Sequence, residues 1–297
     1  ISTLRLAFCG SAPLPLELYK RFEAAAGVTI CEGYGLTEAT CLVAINPPEG
    51  EKRVGSIGPA FPHTQVKIMS VATGEEVGTD EIGEICVSNP GVSMGNTYTE
   101  ADKNAGLYYP GDKSETQYLR TGDLGRIDPD GYLWITGRAK DLIIRGGHNI
   151  DPAEIEEALA GHPAVAFAGA IGQPDAHAGE IPCAYVELVD GAEITPEELI
   201  AFAKEHIHER AAYPKHLEIL DELPKTAVGK IFKPDLRKRA ITRIYNQALA
   251  DTGATVESVT EDKKRGLVAR IAKPSDVDEK VIGKALGAFT VGWEIAD

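Results

Sequence analysis

YLRTGDLGRIDPDGYLWITGRAKDLIIRGGHNI, residues 118–150, is the run on which the fold turns. Asp123 lies in TGDLG, between turn residues and ahead of the apolar run 133–135, so its carboxylate can face a cleft. Asp128-Pro129-Asp130-Gly131 is a hairpin turn, with Pro presetting one φ and Gly taking the left-handed one. It lacks the later acidic ligands of a calcium loop, so Asp128 and Asp130 read as turn residues. Residues 132–136 return as a strand, 138–141 carry three charges in four residues, and 142–144 resume as a short strand. Gly146-Gly147 permits positive φ or close backbone approach to a ligand. Asp151-Pro152 then starts a helix, with Asp as N-cap, Pro in the first turn and acids near the positive end of the dipole. The chain has one texture before this run and another after it, which makes the run a junction where a site is assembled from two bodies.

Working outward, the 297 residues are 43% hydrophobic, enough for two or three soluble cores. No window reaches the apolar length of a membrane span, and no signal peptide is visible. The first residue is Ile rather than Met, and the chain reads as a piece of something longer. The formal charge of -15 argues against general binding to nucleic acid or membrane surfaces, whose partners are basic. Residues 214–239 are the best local basic patch. Five cysteines, an odd number without paired spacing, imply reduced thiols in a cytoplasm. Cys9, Cys31, Cys86 and Cys183 lie in apolar runs and read as core. His206 and His208, two apart on a predicted helix, point to different faces, which argues against a metal site there.

In chain order, residues 4–9 (LRLAFC) form a strand, 10–14 a turn, 15–26 an amphipathic helix and 28–31 a second strand. That is a parallel α/β unit, which places ligands at the carboxyl ends of its strands, here at loops 10–13 and 33–40. The second loop is GYGLTEAT. Gly33 and Gly35 let backbone approach a planar ligand that the Tyr34 ring could cover. Thr37 offers a hydroxyl to phosphate, and Glu38 a carboxylate to magnesium. The same residues read equally as a helix start capped by Thr37, and a helix N-terminus also attracts phosphate. Residues 55–136 change to short strands, at 65–69, 83–88 and 132–136, suggesting a small β-barrel-like subdomain. Residues 95–117 read as a long loop or lid.

After the junction, helices at 153–160 and 196–209 alternate with strands at 164–171, 183–189 and 216–220. Thr195 begins the second helix, with Pro at its first position. LPKTAVGKIFK, residues 223–233, is a turn carrying three lysines. It is not a nucleotide P-loop, because Pro224 stands where Gly is needed and Ile231 where Ser or Thr is needed. Residues 240–297 form a separate stretch, with hairpin strands at 255–259 and 267–272, a helix at 277–286 and a strand at 290–295. It carries no catalytic constellation and reads as a capping or homo-oligomerisation element.

GYGLTE, TGDLG with GR.KD, GG.NI.P.EIE and PKT..GKI, in this order and spacing, resemble the adenylate-forming superfamily of AMP-forming acyl-CoA synthetases and peptide-synthetase adenylation domains. The similarity covers residues 4–239. It implies an α/β fold: the end of a large adenylation domain, made of an α/β sheet (1–60) and a small β-barrel subdomain (61–137). A mobile α+β C-terminal domain follows (138–239), hinged at Lys140, with an extension at 240–297. The resemblance places Ser11, Ala12, Gly33, Tyr34, Gly35 and Leu36 around adenine, Thr37 on phosphate and Glu38 on Mg2+. Asp123 would take both ribose hydroxyls, with Ile135 beside the nucleotide and Arg138 reaching ribose or phosphate. Lys230 would be the adenylation lysine, and Arg145, Gly146 and Gly147 would meet CoA.

The implied partners are a carboxylic acid, ATP (leaving as AMP) and CoA. The implied reaction is ATP-dependent adenylation of a fatty or other hydrophobic acid, then thioester formation with CoA. The family's Ser/Thr/Gly-rich phosphate loop and most of its acid pocket belong to an N-terminal half that these residues do not include. Catalysis by this chain alone is therefore not expected. A carrier-loading adenylation domain and a nucleotide-binding or assembly module without turnover are the competing expectations. The tail lacks the Gly-Ser motif of a carrier, which favours the ligase.

Overall fold

The computed structural model describes every residue except 1, 2, 13, 15, 93–96, 111–116, 228, 263, 264 and 297. The chain divides into two compact units, Ile1–Lys140 and Asp141–Asp297.

The first unit opens with β1 (Ala7–Cys9), α1 (Leu16–Ala26) and β2 (Ile30–Leu36), then β3 (Cys41–Ile45). β1 and β2 are parallel, as a strand–helix–strand unit requires, and β3 pairs antiparallel with β2. The next strands are β4 (Gly58–Pro59), β5 (Gln65–Met69), β6 (Gly83–Ser88), β7 (Tyr108–Pro110), β8 (Gln117–Ile127) and β9 (Tyr132–Arg138). They form one antiparallel sheet in the order β4-β9-β8-β6-β5, with β7 added to β8. Its inward side chains Ile68, Ile85, Val87, Leu119 and Leu133, with Ile57 just before β4, share a core with Val43 and Ala44 of β3. Residues 95–117 are not wholly loop. Ala101–Asn104 form a 3-10 turn and β7 pairs with β8, while 95, 96 and 111–116 lie outside the described residues.

The turn at 128–131 holds more than a chain reversal. Asp128 is buried and accepts from the amides of Asp130 and Tyr132, the Trp134 indole and Arg53 Nη1 at 2.7–3.0 Å. Burial alone would raise its pKa, yet these donors hold it at about 2. Its contribution to stability is thus fully present above the unfolded carboxylate value of about 3.9 and is lost as pH falls through about 2. Asp128→Asn should destabilise the unit at neutral pH and flatten the fall in unfolding free energy between about pH 4 and pH 2, read by urea titrations across that range.

The second unit begins with β10 (Ile143–Arg145), β11 (His148–Ile150) and α2 (Pro152–Ala160). Asp151 caps α2 by accepting from the Ala153 amide at 2.9 Å, with Pro152 in the first turn. Then come β12 (Val165–Asp175), β13 (Gly179–Leu188), α3 (Pro196–His206) and β14 (His216–Leu220). Thr195 and Glu198 close a reciprocal capping box on α3. The helix stops at His206, three residues before the expected end, because Ile207 turns extended and is buried. His208 therefore lies beyond the helix.

The sheet order is β11-β10-β13-β12, with β14 parallel to β13. Strand alternation sends Ala184 and Val186 toward α2 and α3, and Cys183 and Tyr185 toward α4 (Lys233–Ala248). α4 runs straight through the expected boundary at 239/240. It buries Leu236 and Ala240 against the sheet, then Ile241 and Tyr245 in a second core. That core belongs to β15 (Thr255–Asp262), β16 (Gly266–Ala272), α5 (Glu279–Leu286) and β17 (Gly292–Ile295). One amphipathic helix thereby ties residues 249–296 to the preceding sheet.

Cys31, Cys86 and Cys183 are buried as expected, while Cys9 is only half-buried because β1 is an edge strand. Among the described residues no helix is long and apolar enough to cross a membrane.

Candidate active site

The GYGLTEAT segment is neither a loop from 33 onward nor a helix start. Gly33 to Leu36 continue β2, paired through Gly33↔Ile45, Tyr34↔Ala44, Gly35↔Leu42 and Leu36↔Cys41. Thr37–Ala39 make a single 3-10 turn, and no side chain caps it. The apolar run after the turn decides this, because β3 completes the hairpin and buries Val43 and Ala44. Thr40 and Cys41 close it at φ 54 and 82, left-handed values that a non-glycine residue adopts at a cost. Gly35 is needed for this closure rather than only for a ligand: a Cβ there would sit 1.5 Å from the Cys41 carbonyl oxygen.

The turn after β1 lies against the same strand. A Cβ on Gly10 would fall 2.8 Å from the Gly33 carbonyl oxygen, so the turn that leads into Ser11 and Ala12 starts against Gly33. Ser11, at φ 69, is exposed, as are Ala12, Gly35 and Thr37.

Asp123 on β8 is a buried acid, 6% exposed. It stands opposite Arg138 of β9, whose Nε donates to Oδ1 at 2.6 Å. The Tyr34 hydroxyl donates to Oδ2 at 2.5 Å. Burial first, and the adjacent Asp123 charge next, push the Tyr34 phenol up, so it remains a donor. Tyr34, Leu36 and Ile135 pack against one hydrophobic core. The structure thus brings Tyr34, Asp123, Ile135 and Arg138 together. A carboxylate offers about four lone-pair positions, so Asp123 can still accept from a vicinal diol with both donors in place.

Glu38 lies in the 3-10 turn, where one carboxylate oxygen accepts from the Tyr98 hydroxyl. That hydrogen bond first, then burial, pushes the Tyr98 phenol up to about 12. No cluster of three or more metal-ligating side chains exists among the described residues. A single carboxylate suits magnesium, which is held by one or two carboxylates together with substrate phosphates.

In the second unit, Gly146 and Gly147 adopt φ 56 and 90 and join β10 to β11, the geometry of a two-residue hairpin turn. Arg145, Gly146, His148, Arg210, Tyr213 and Lys215 line a cavity of about 500 Å³. Arg145 Nη1 is itself fixed by the Ala211 carbonyl at 2.7 Å. Of the expected basic stretch 214–239, only Lys215 contributes to this cavity.

The turn 223–233 sorts its lysines. Lys225 pairs with Glu187 and Lys233 with Glu156, each at 2.8 Å. Lys230 is exposed, with no side-chain partner among the described residues. Its backbone closes the turn with Thr226. Lys140 is exposed and ends the first unit.

Sequence reasoning missed Tyr98, and missed Tyr34 as the partner of Asp123. These contacts span 60 and 89 residues, and no local spacing announces them. It also missed His148 and Arg210, which the fold of the second unit brings to Arg145.

The family model "AMP-binding enzyme" matches residues 1–96, and "AMP-binding enzyme C-terminal domain" matches 154–230. A marinolic acid–CoA ligase of Pseudoalteromonas sp. (strain SANK 73390) is 41% identical over 278 residues, 91% of this chain and 41% of that protein. A long-chain-fatty-acid–CoA ligase of Bacillus subtilis (strain 168) is 41% identical over 235 residues, 78% of this chain and 40% of that protein. Among solved structures, ATP-bound MatB from Rhodopseudomonas palustris superposes with TM-score 0.71 at 33% identity, covering 78% of this chain and 44% of that one. The chain spans about two fifths of the length of these curated relatives.

Proposed function

The chain belongs to the AMP-binding enzyme family, and on that premise we propose that its protein is an AMP-forming acid–thiol ligase acting on a fatty or other hydrophobic carboxylic acid. The observation that carries this reading is the buried Asp123, held by Tyr34 and Arg138 on the strand pair next to the Glu38 turn. Asp123 accepts the ribose hydroxyls. Ser11, Ala12 and residues 33–36 form the adenine wall, with the Tyr34 ring over the base and Ile135 behind it. Thr37 donates to phosphate, and Arg138 reaches the ribose or phosphate while holding Asp123. Glu38 would hold magnesium, which supplies charge neutralisation on the phosphates when bound.

In the first step a carboxylate oxygen of the acid attacks the α-phosphorus and pyrophosphate leaves. Both reactants are anionic, so the Lys230 ammonium stabilises the charge between carboxylate and α-phosphate. In the second step the CoA thiol attacks the acyl carbonyl and AMP leaves. Lys140 is the proposed hinge between the two steps. Gly146-Gly147 offer a wall without side chains to pantetheine, and the cavity of Arg145, His148, Arg210 and Lys215 suits the CoA phosphates. That basic cavity favours CoA over a carrier protein as acceptor. Free thiols at all five cysteines suit a cytoplasmic setting.

The test is made on the full-length protein. With a long-chain or aryl acid, ATP and magnesium it should release pyrophosphate in an acid-dependent way, and adding CoA should yield acyl-CoA and AMP. Acyl transfer to a carrier protein but not to CoA would overturn the acceptor. Nucleotide binding without pyrophosphate release would overturn the enzyme.

A further inference from the structure

Glu38 sits in a turn of three residues, which does little to fix a side chain with three rotatable bonds. What fixes it comes from another part of the chain. The Tyr98 hydroxyl donates to Glu38 Oε1, and among the described residues Oε2 accepts no hydrogen bond. Tyr98 is itself clamped: Asn104 Oδ1 accepts from its amide at 2.9 Å, and Asn104 Nδ2 donates to its carbonyl at 2.7 Å. Next to it, the Thr97 hydroxyl is hydrogen-bonded to the hydroxyl of Tyr108, which lies on β7 opposite Leu119 of β8. β8 also carries Asp123. The same connection between β6 and β7 touches the turn again, where Asn89 Nδ2 donates to the Ala39 carbonyl at 3.5 Å and the Thr40 hydroxyl to the Gly91 carbonyl. Gly91 allows this approach, since a Cβ there would lie 2.7 Å from Thr40 Cβ.

We propose that Tyr98 is a positioning residue for Glu38: its hydroxyl holds Oε1 so that Oε2 alone is presented to the metal of the bound nucleotide. This rests on the reading of Glu38 as the magnesium ligand. A carboxylate with one oxygen already hydrogen-bonded binds through a single oxygen at a set angle, which suits the strict octahedral geometry of magnesium. Hydrogen-bond partners of ligating carboxylates orient them, and losing one costs roughly 10–100-fold in metal affinity.

Tyr98→Phe removes only the hydroxyl. In the full-length protein, calorimetric titration of ATP at stepped magnesium should show the half-saturating metal concentration raised about 10–100-fold. ATP affinity without metal and KM for the acid should stay within about twofold, a split that general loosening of the fold would not produce. Mn2+ paramagnetic resonance of the ATP complex should report the same shift without turnover. Glu38→Gln is the reference. If it leaves the metal dependence unchanged, the Glu38 assignment falls and this inference with it. If Glu38→Gln raises the requirement and a folded Tyr98→Phe does not, the Tyr98 role alone is overturned. Should Tyr98→Phe fail to fold, Asn104→Ala, which frees the Tyr98 backbone and keeps the phenol, decides the matter. A raised metal requirement supports the role, and an unchanged one ends it.

Discussion

Lys230→Ala in the full-length protein is expected to slow acid-dependent pyrophosphate release by about 10²–10³, the typical effect of removing one preorganised donor from a developing charge. Thioester formation from a supplied acyl-adenylate and CoA should stay near the parent rate, because that step no longer joins two anions at the α-phosphorus. The contrast within one turn sharpens the expectation. Lys225 and Lys233 are committed to Glu187 and Glu156, so replacing either should lower thermal stability before it lowers adenylation. Lys230 alone among these three presents an exposed ammonium without a side-chain partner among the described residues. Stopped assays of the two half-reactions separate the cases. Adenylation by Lys230→Ala within tenfold of the parent would remove Lys230 from the mechanism.

Gly35→Ala should disrupt the hairpin that carries Tyr34 and Glu38, at a cost above about 3 kcal/mol, the upper range for overpacking. The added Cβ would lie 1.5 Å from the Cys41 carbonyl oxygen and 2.5 Å from its carbon, and backbone cannot rotate away as a side-chain tip can. Gly131→Ala is the matched control. Gly131 has φ +87 but no atom within 4 Å of a new Cβ, so it should cost only the left-handed strain of about 1–2 kcal/mol. Urea unfolding of both variants reads the difference. Gly35 has no left-handed φ, so equal destabilisation would mean that the hairpin relieves the clash by a shift and that the approach of β3 does not require glycine at 35.

Features settled within a few residues were legible without coordinates. Asp151-Pro152 opens α2, Thr195 opens α3 with Pro at its first position, Gly146 and Gly147 take positive φ, and β14 spans 216–220 as read. Caps, turns and short alternating strands are governed by neighbours in sequence, so the residues involved carry their own signal. The parallel pairing of β1 and β2 follows from strand–helix–strand order in the same way. Residue type points to Thr37 and Glu38 as groups for phosphate and magnesium, whereas the roles of Ser11, Ala12, Asp123, Ile135, Arg138 and Lys230 come from the order and spacing of motifs that resemble the family.

What surrounds those residues was decided by pairing across the chain. β3 drew residues 33–36 out of the expected loop into β2, where Gly35 is required by the strand crossing as well. Register between β8 and β9 set Arg138 on Asp123, and the meeting of the two sheets brought Tyr34 to it. Asp128 changed from a turn residue into a buried carboxylate once Arg53, 75 residues away, closed on it. α4 bridged the boundary expected at 239/240, where the matched motifs end, because its apolar face continues from one core into the next. The amino-acid sequence by itself determined which groups could do chemistry and where the chain turns. Only the tertiary structure decided which donor holds each acid, because a hydrogen bond between residues 60 or 89 positions apart depends on strand register and leaves no periodic trace.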